Sequence, residues 1–307
     1  MVLLAAAVAL LGWPLVRKRW RELRRYAQAY SRCGYLPDPP SERGRLFSKR
    51  LSRFLVWLQV GNIEITGGAS LAVTGPKIIA ANHPHSVDPF VFGVLLSEGA
   101  RYMTAAGVMK FCGGLGAMIL GPCGAFCADL RRGKGVPALK TGVQVLTSGQ
   151  TLVIFPEGWA HLDGTARPFK RGVVHIAREA ATQLGRPIPI VPVHFRHGAH
   201  PGAWINRLNP RLQFFLMPLA FPIYRRGVKV AVGKPILSSA LPVDDSAAAA
   251  QLRTRILGLG VKSGQPGPSS LEPRSHNQSP KSPTARLVSF RSGQRKRSSS
   301  PAFPSGS

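Results

Sequence analysis

Five short apolar runs recur through the middle of the chain: Lys77–Ala81, Arg101–Ala105, Cys123–Ala128, Gln150–Phe155 and Ile188–Phe195. Each has the length and character of a buried strand. The stretches between them read as helices, one starting at Pro89, one at Phe111, then Val136–Ser148 and Val173–Leu184. Such alternation predicts an α/β fold, a mostly parallel central sheet flanked by helices. Val228–Val232 and Phe214–Ile223 read as later strands, and Ser246–Leu259 as a closing helix. In sheets of this kind ligands gather at the carboxyl ends of the strands. The residues that follow each run are therefore where chemistry is sought.

After the first run comes Asn82-His83-Pro84-His85-Ser86-Val87-Asp88, and then Pro89 opens a helix. Pro at the first helical position with Asp before it is a start signal. A histidine thus stands at a strand end and a carboxylate at a helix start, with a tight turn between them. The turn can fold Asp88 back onto the His83 imidazole. A carboxylate on one ring nitrogen fixes the tautomer and makes the other nitrogen a better general base. Plainer roles fit the same residues: Asp88 as an N-cap, and His83 as a loop histidine without a task. A zinc pair from His83 and His85 is a third option, but no Cys or His group of usual ligand spacing accompanies it.

Two more strand ends carry chemistry. Asp129-Leu130-Arg131-Arg132-Gly133-Lys134-Gly135 is a basic, glycine-bearing loop suited to holding an anion, or simply an exposed turn. Pro156-Glu157-Gly158 ends the fourth run and places a carboxylate where a bound polar group can meet it, although alone it is only a turn signal. Pro168-Phe169-Lys170-Arg171-Gly172 leads into the next helix.

The 307 residues hold 41 Lys and Arg against 13 Asp and Glu, a formal charge of +28. From Ala180 to Val243 there is no acid at all. Such an excess favours a polyanionic partner. Paired Cys–His groups and aromatic RNP-like runs are missing, so no specific nucleic acid is expected. An anionic membrane surface is the favoured partner because of the amino-terminal segment. Val2–Val16 is apolar apart from Gly12 and Pro14 and is followed by Arg17-Lys18-Arg19-Trp20-Arg21. About 15 helical residues reach roughly 22 Å, short of the roughly 30 Å hydrocarbon core. The expectation is an uncleaved membrane anchor, inserted or embedded, with its basic flank on the cytoplasmic side. An amphipathic helix is expected over Leu46–Val60, lying on a membrane or on the core. The four cysteines do not form a disulfide framework in a chain this long and read as reduced thiols. Beyond Lys262 the composition turns to Ser, Pro, Gly, Lys and Arg, and disorder is expected.

Taken in order, these segments resemble the glycerolipid acyltransferase family, of the bacterial 1-acylglycerol-3-phosphate acyltransferase type. The first family motif, Asn-His followed after four residues by Asp, is Asn82 to Asp88. The second, a Gly-x-x-Phe run ending in Asp-Arg, is similar to Gly124-Ala125-Phe126-Cys127-Ala128-Asp129-Leu130-Arg131. The third is Phe155-Pro156-Glu157-Gly158, and the fourth is similar to Ile190-Val191-Pro192-Val193. The Phe169–Gly172 and Val230–Ile236 segments also suit the family. Two departures stand out. Leu130 separates Asp129 from Arg131, and Trp159-Ala160-His161 stands where the family often has Thr-Arg-Ser.

The resemblance implies four parts: an anchor and basic flank (residues 1–30), a linker (31–53), an acyltransferase domain (54–261) and a basic Ser/Pro-rich tail (262–307). It implies transfer of a fatty acyl group from acyl-CoA or acyl carrier protein to a membrane lipid hydroxyl, without metal or other cofactor. His83 would be the general base and Asp88 its orienting partner. Arg131 or Arg132 would pair with the acceptor phosphate, Lys170 would assist, and Glu157 and Gly158 would position the acceptor's polar end. The favoured acceptor is 1-acylglycerol 3-phosphate. Rivals are another acceptor (glycerol 3-phosphate, another lysolipid, an amino-acid or glycolipid), a thioesterase-like hydrolase, and a basic binding protein without catalysis.

Overall fold

The computed structural model describes residues 21–129, 131, 134–199, 225–262 and 286–288. The expected anchor over Val2–Val16, the expected strand over Phe214–Ile223, Arg132 and most of the tail lie outside the described residues.

The strands are β1 (Ile63–Thr66), β2 (Lys77–Ala81), β3 (Ala100–Ala105), β4 (Ala125–Ala128), β5 (Thr151–Ile154), β6 (Pro189–His197), β7 (Val228–Val232), β8 (Ile236–Leu237) and β9 (Arg286–Val288). Helix α1 takes residues 21–30. It is followed by α2 (Glu42–Gln59), α3 (Asp88–Leu95), α4 (Ala106–Met109), α5 (Phe111–Leu120), α6 (Val136–Thr147), α7 (Gly172–Leu184) and α8 (Asp245–Lys262). The strands form one sheet in the order β4-β3-β5-β2-β6-β7-β1-β9, with β8 paired to β6. From β4 to β6 all pairings are parallel; β7 then runs antiparallel to β6. The α/β architecture with a mostly parallel sheet between helices is therefore as expected.

Period-two alternation divides the core between the two faces of the sheet. Ile78, Ala80, Leu152, Ile154 and Ile190 pack with Leu146, Val174, Ile176 and Leu252 of α6, α7 and α8. Ile79, Ala81, Val153, Val191, Val193 and Phe195 pack with Val56, Val91 and Phe92 of α2 and α3. All five residues of β2 are buried, as suits a strand covered on both faces.

Two boundaries differ from the sequence reading. Helix α2 begins at Glu42, where Ser41 accepts the Gly44 amide at 3.2 Å, so it starts inside the stretch read as a linker. The chain before it is held by Arg101, which donates to the carbonyls of Asp38, at 3.1 Å, and Pro37. The tail also contributes structure: β9 pairs antiparallel with β1, Ile63 to Ile65 against Val288 to Arg286. Without it β1 would be an open edge, with a row of unpaired amides and carbonyls. Cys33, Cys123 and Cys127 carry free thiols, as read; the side chain of Cys112 is not among those described.

Gly124 makes the entry into β4. Its φ is +91°, and a Cβ there would lie 2.4 Å from the Ala100 carbonyl oxygen. Gly124→Ala should cost at least about 1–3 kcal/mol. The check is a lower urea midpoint with an unchanged denaturant slope.

Candidate active site

The turn between β2 and α3 is built around one carboxylate. Asp88 is the first residue of α3, with Pro89 following, and its side chain is fully buried. It does not act as an N-cap: the N-cap position is Val87, and the Asp88 carboxylate turns back onto the turn before it. Its Oδ2 accepts the His85 amide at 2.9 Å and the His83 Nδ1–H at 2.9 Å. Its Oδ1 accepts the His197 Nε2–H at 2.6 Å. The donor roles of the two rings follow from an ionised carboxylate, which can only accept. Burial by itself raises the Asp88 pKa, but the His197 and His83 rings outweigh it and hold the carboxyl well below the usual carboxylate range.

His83 therefore presents Nε2 as its acceptor, and that nitrogen has no partner among the described residues. The ring is stacked on Phe155 at 4.0 Å, and its side chain is 14% exposed, enough to be reached from one side. Asn82 ties the turn to the neighbouring strand. Its side-chain amide donates to the Phe195 carbonyl at 3.0 Å and its oxygen accepts the Phe195 amide at 2.7 Å. His85 has a different task from the metal pairing considered above. Its Nδ1 accepts the Val87 amide at 3.2 Å, and its ring stacks on His197 at 4.8 Å. Among the described residues no three His, Cys, Asp or Glu side chains are grouped to hold a metal ion.

Glu157 stands at the end of β5, one strand from β2. It is buried, and both oxygens are occupied by backbone amides, Oε1 by His83 at 2.9 Å and Oε2 by Arg167 at 2.9 Å. It braces the turn that carries His83, where the sequence suggests a carboxylate that meets substrate. Gly158 has φ +82°, and the Lys170 ammonium occupies the space where its side chain would be, 2.6 Å from an ideal Cβ. Lys170 is exposed, and its ammonium has no partner among the described residues. The Arg131 guanidinium folds onto Asp129 in its own loop, with NH2 to Oδ2 at 2.5 Å and Nε to Oδ1 at 2.9 Å. The Arg131 side chain is 70% exposed. Its strand, β4, lies three strand spacings from β2, about 14 Å.

Two residues close to His83 were not expected to be there. His161 donates its amide to the His83 carbonyl at 2.8 Å, and burial lowers the pKa of its ring, against the pull of Glu157. His197, buried at the end of β6, is the second clamp on Asp88. The rule that chemistry collects at strand ends, applied to β6 as to the other strands, would have found it.

With this geometry in hand, the chain is compared with known proteins. Residues 62–196 match the family model described as Acyltransferase. That match takes in less than half of the chain. The matched acyltransferase segment runs from the start of β1 to the penultimate residue of β6. The chain is 29% identical over 156 residues to a 1-acyl-sn-glycerol-3-phosphate acyltransferase of Limnanthes alba, covering 49% of this chain and 50% of that one. It is 26% identical over 133 residues to the human 1-acyl-sn-glycerol-3-phosphate acyltransferase alpha, covering 43% and 44%. The chain thus spans about half the length of the curated relatives it matches. A solved structure of the 1-acyl-sn-glycerophosphate (LPA) acyltransferase PlsC from Thermotoga maritima superposes with a TM-score of 0.49 at 17% identity, covering 85% of this chain and 93% of that one.

Two outcomes follow from the clamp. Removing the Asn82 side chain leaves the buried amide and carbonyl of Phe195 unpaired, so Asn82→Ala should lower stability by about 1–3 kcal/mol per orphaned group, read by thermal unfolding. Because the folded-state pKa of Asp88 is depressed, its contribution is complete above the pKa of an unfolded Asp, about 3.9, and is lost as pH falls below it. The stability–pH profile of Asp88→Asn should be flatter than that of the native protein below about pH 4. Parallel acid limbs would show that Asp88 is not the ionised centre of the turn.

Proposed function

We propose that the chain is a membrane-associated O-acyltransferase that moves a fatty acyl group from a thioester to the hydroxyl of a lysophospholipid, with 1-acylglycerol 3-phosphate giving phosphatidic acid as the favoured reaction. The observation that carries this reading is the pairing of a buried, ionised Asp88 with a reachable His83 whose Nε2 is unpartnered among the described residues. The names of the matched relatives support the choice of acceptor.

In this mechanism the acceptor oxygen attacks the thioester carbonyl while His83 Nε2 takes its proton. Asp88 holds the ring and stabilises the imidazolium that forms, as in a hydrolase triad without an enzyme nucleophile. The tetrahedral intermediate then expels the thiolate, which recovers the proton from His83. The oxyanion needs donors. Within the turn the amides of His83, His85, Val87 and Asp88 already have acceptors, and Pro84 has no N–H. The amide of Ser86, on the exposed side of the turn, is the one that remains. Lys170 meets the acceptor phosphate first, being on the loop that follows Glu157, with Arg131 reached from further along the sheet edge. Gly158 keeps that approach open.

Membrane association rests on the amino-terminal half. No helix of the described residues is long and apolar enough to cross a membrane. Helix α2, however, leaves Leu46, Phe47, Phe54 and Trp57 exposed on a helix that also carries Arg43, Arg50 and Arg53. That combination suits the surface of an anionic bilayer, and the apolar sequence of Val2–Val16 suits an anchor.

The test uses the full chain in lipid vesicles with labelled acyl-CoA or acyl carrier protein and 1-acylglycerol 3-phosphate, the products being identified by mass spectrometry. Native protein should form phosphatidic acid, and His83→Ala should lose about 10²–10⁴-fold in rate, with no acyl-enzyme trapped on quenching. A different acylated lipid from a mixed extract would keep the mechanism and change the acceptor. Free fatty acid as the main product would mark a hydrolase.

A further inference from the structure

The far side of His197 borders a groove of about 740 Å³ that the mechanism leaves unused. It opens where β6 ends and β7 begins, on the same edge of the sheet as the catalytic turn. Its walls carry Arg196, Arg225, Arg226 and Lys229, and their single acidic neighbour, Glu64, is spent on Lys229 at 3.1 Å. The three guanidinium groups pair with no carboxylate among the described residues. Arg196 and Lys229 lie directly opposite each other on adjacent strands. Like charges so placed repel, and an anion in the groove relieves them.

The floor is kept bare. A Cβ on Gly198 would fall 2.3 Å from the Arg226 carbonyl oxygen, and Gly198 donates its amide to Gly227 at 3.0 Å. At the rim the Arg225 guanidinium lies over the half-exposed Trp57 ring, 5.3 Å from its centroid. Arginine forks match phosphate oxygens bidentately, and a guanidinium–aromatic pair offers a flat face. A single phosphomonoester would use one of these forks. The volume is that of a site for a whole small molecule. Three unpaired forks beside a flat face suit a multiply phosphorylated nucleotide. An acidic carrier protein would need cations on a protruding surface, whereas these line a concavity.

We propose that this groove holds the phosphorylated nucleotide portion of a coenzyme A thioester, an assignment that rests on the acyl-transfer reading above. His197 then has two faces, one against the donor's nucleotide and one against the Asp88 carboxylate.

The test is calorimetric titration of the full-length protein with unacylated coenzyme A, with glycerol 3-phosphate and acyl carrier protein as separate arms. Native protein and His83→Ala should bind coenzyme A alike. The double variant Arg196→Gln/Arg226→Gln, at two exposed positions, should bind it about 100-fold more weakly, roughly tenfold for each lost charge-assisted pair. Arg225→Gln, which spares that pair of positions, should weaken it as well, and an unchanged melting curve confirms that each variant is folded. Coenzyme A that fails to bind native protein, or binds the variants as tightly, overturns the proposal. So does a double variant that loses only glycerol 3-phosphate or only carrier protein. Coenzyme A held by the arginines in a protein that transfers no acyl group would keep the groove and sink the acyl-transfer reading instead.

Discussion

A carboxylate with no exposed surface is tolerable only if both of its oxygens find donors. Asp88 meets that condition with two imidazole N–H groups and one amide, and the demand propagates outward. The His85 amide reaches it because the turn after β2 is tight. His83 reaches it because the Asn82 side chain fastens the strand end to Phe195, and because Glu157 holds the His83 amide from the other side. His197 reaches it because β6 lies next to β2 in the sheet. Loosening any of these leaves a buried charge short of a donor. The arrangement is thus self-consistent in a strict sense: the His83 ring is oriented by the same bonds that make the buried acid tolerable.

The division of labour among the strand ends follows. The end of β2 supplies His83, that of β5 the brace, and that of β6 the second clamp on Asp88. Among the motif residues, those nearest the base are tied into the protein, while the cations that could greet a substrate stand at the periphery. Glu157 illustrates the first group and Lys170 the second. A buried carboxylate with each oxygen held by a backbone amide fixes the loops on either side of it, so the place of Glu157 after Phe155-Pro156 has a structural reason.

How far the sequence could carry this depended on whether a signal was local. The five central strands and their helices were legible because apolar runs and helical spacing are written within a dozen residues. The His83–Asp88 contact was legible for the same reason, being closed by one short turn. His197 was not, since it is separated from Asp88 by 109 residues and only strand order brings the two together. The fold of Arg131 onto Asp129 was equally hidden, because a basic loop at a strand end reads the same whether its guanidinium faces outward or back. The start of α2 was placed late because the apolar pattern begins at Leu46, while the capping serine sits five residues earlier, behind Pro39-Pro40. The short pairing of residues 286–288 with β1 lay in a composition that promised no structure.

The position of β2 has a consequence for the chain as it is made. This strand, buried throughout, is flanked in the sheet by β5 and β6, both of which come later in the chain. A nascent chain emerging amino terminus first therefore displays an unpaired, sticky strand on both edges until Thr151 and then Pro189 have left the ribosome. At several residues per second that interval lasts on the order of ten seconds. The His83–Asp88 turn is complete in sequence by Asp88, yet its second clamp cannot form until translation has passed His197. Such a chain depends on being shielded during synthesis, and it becomes competent late.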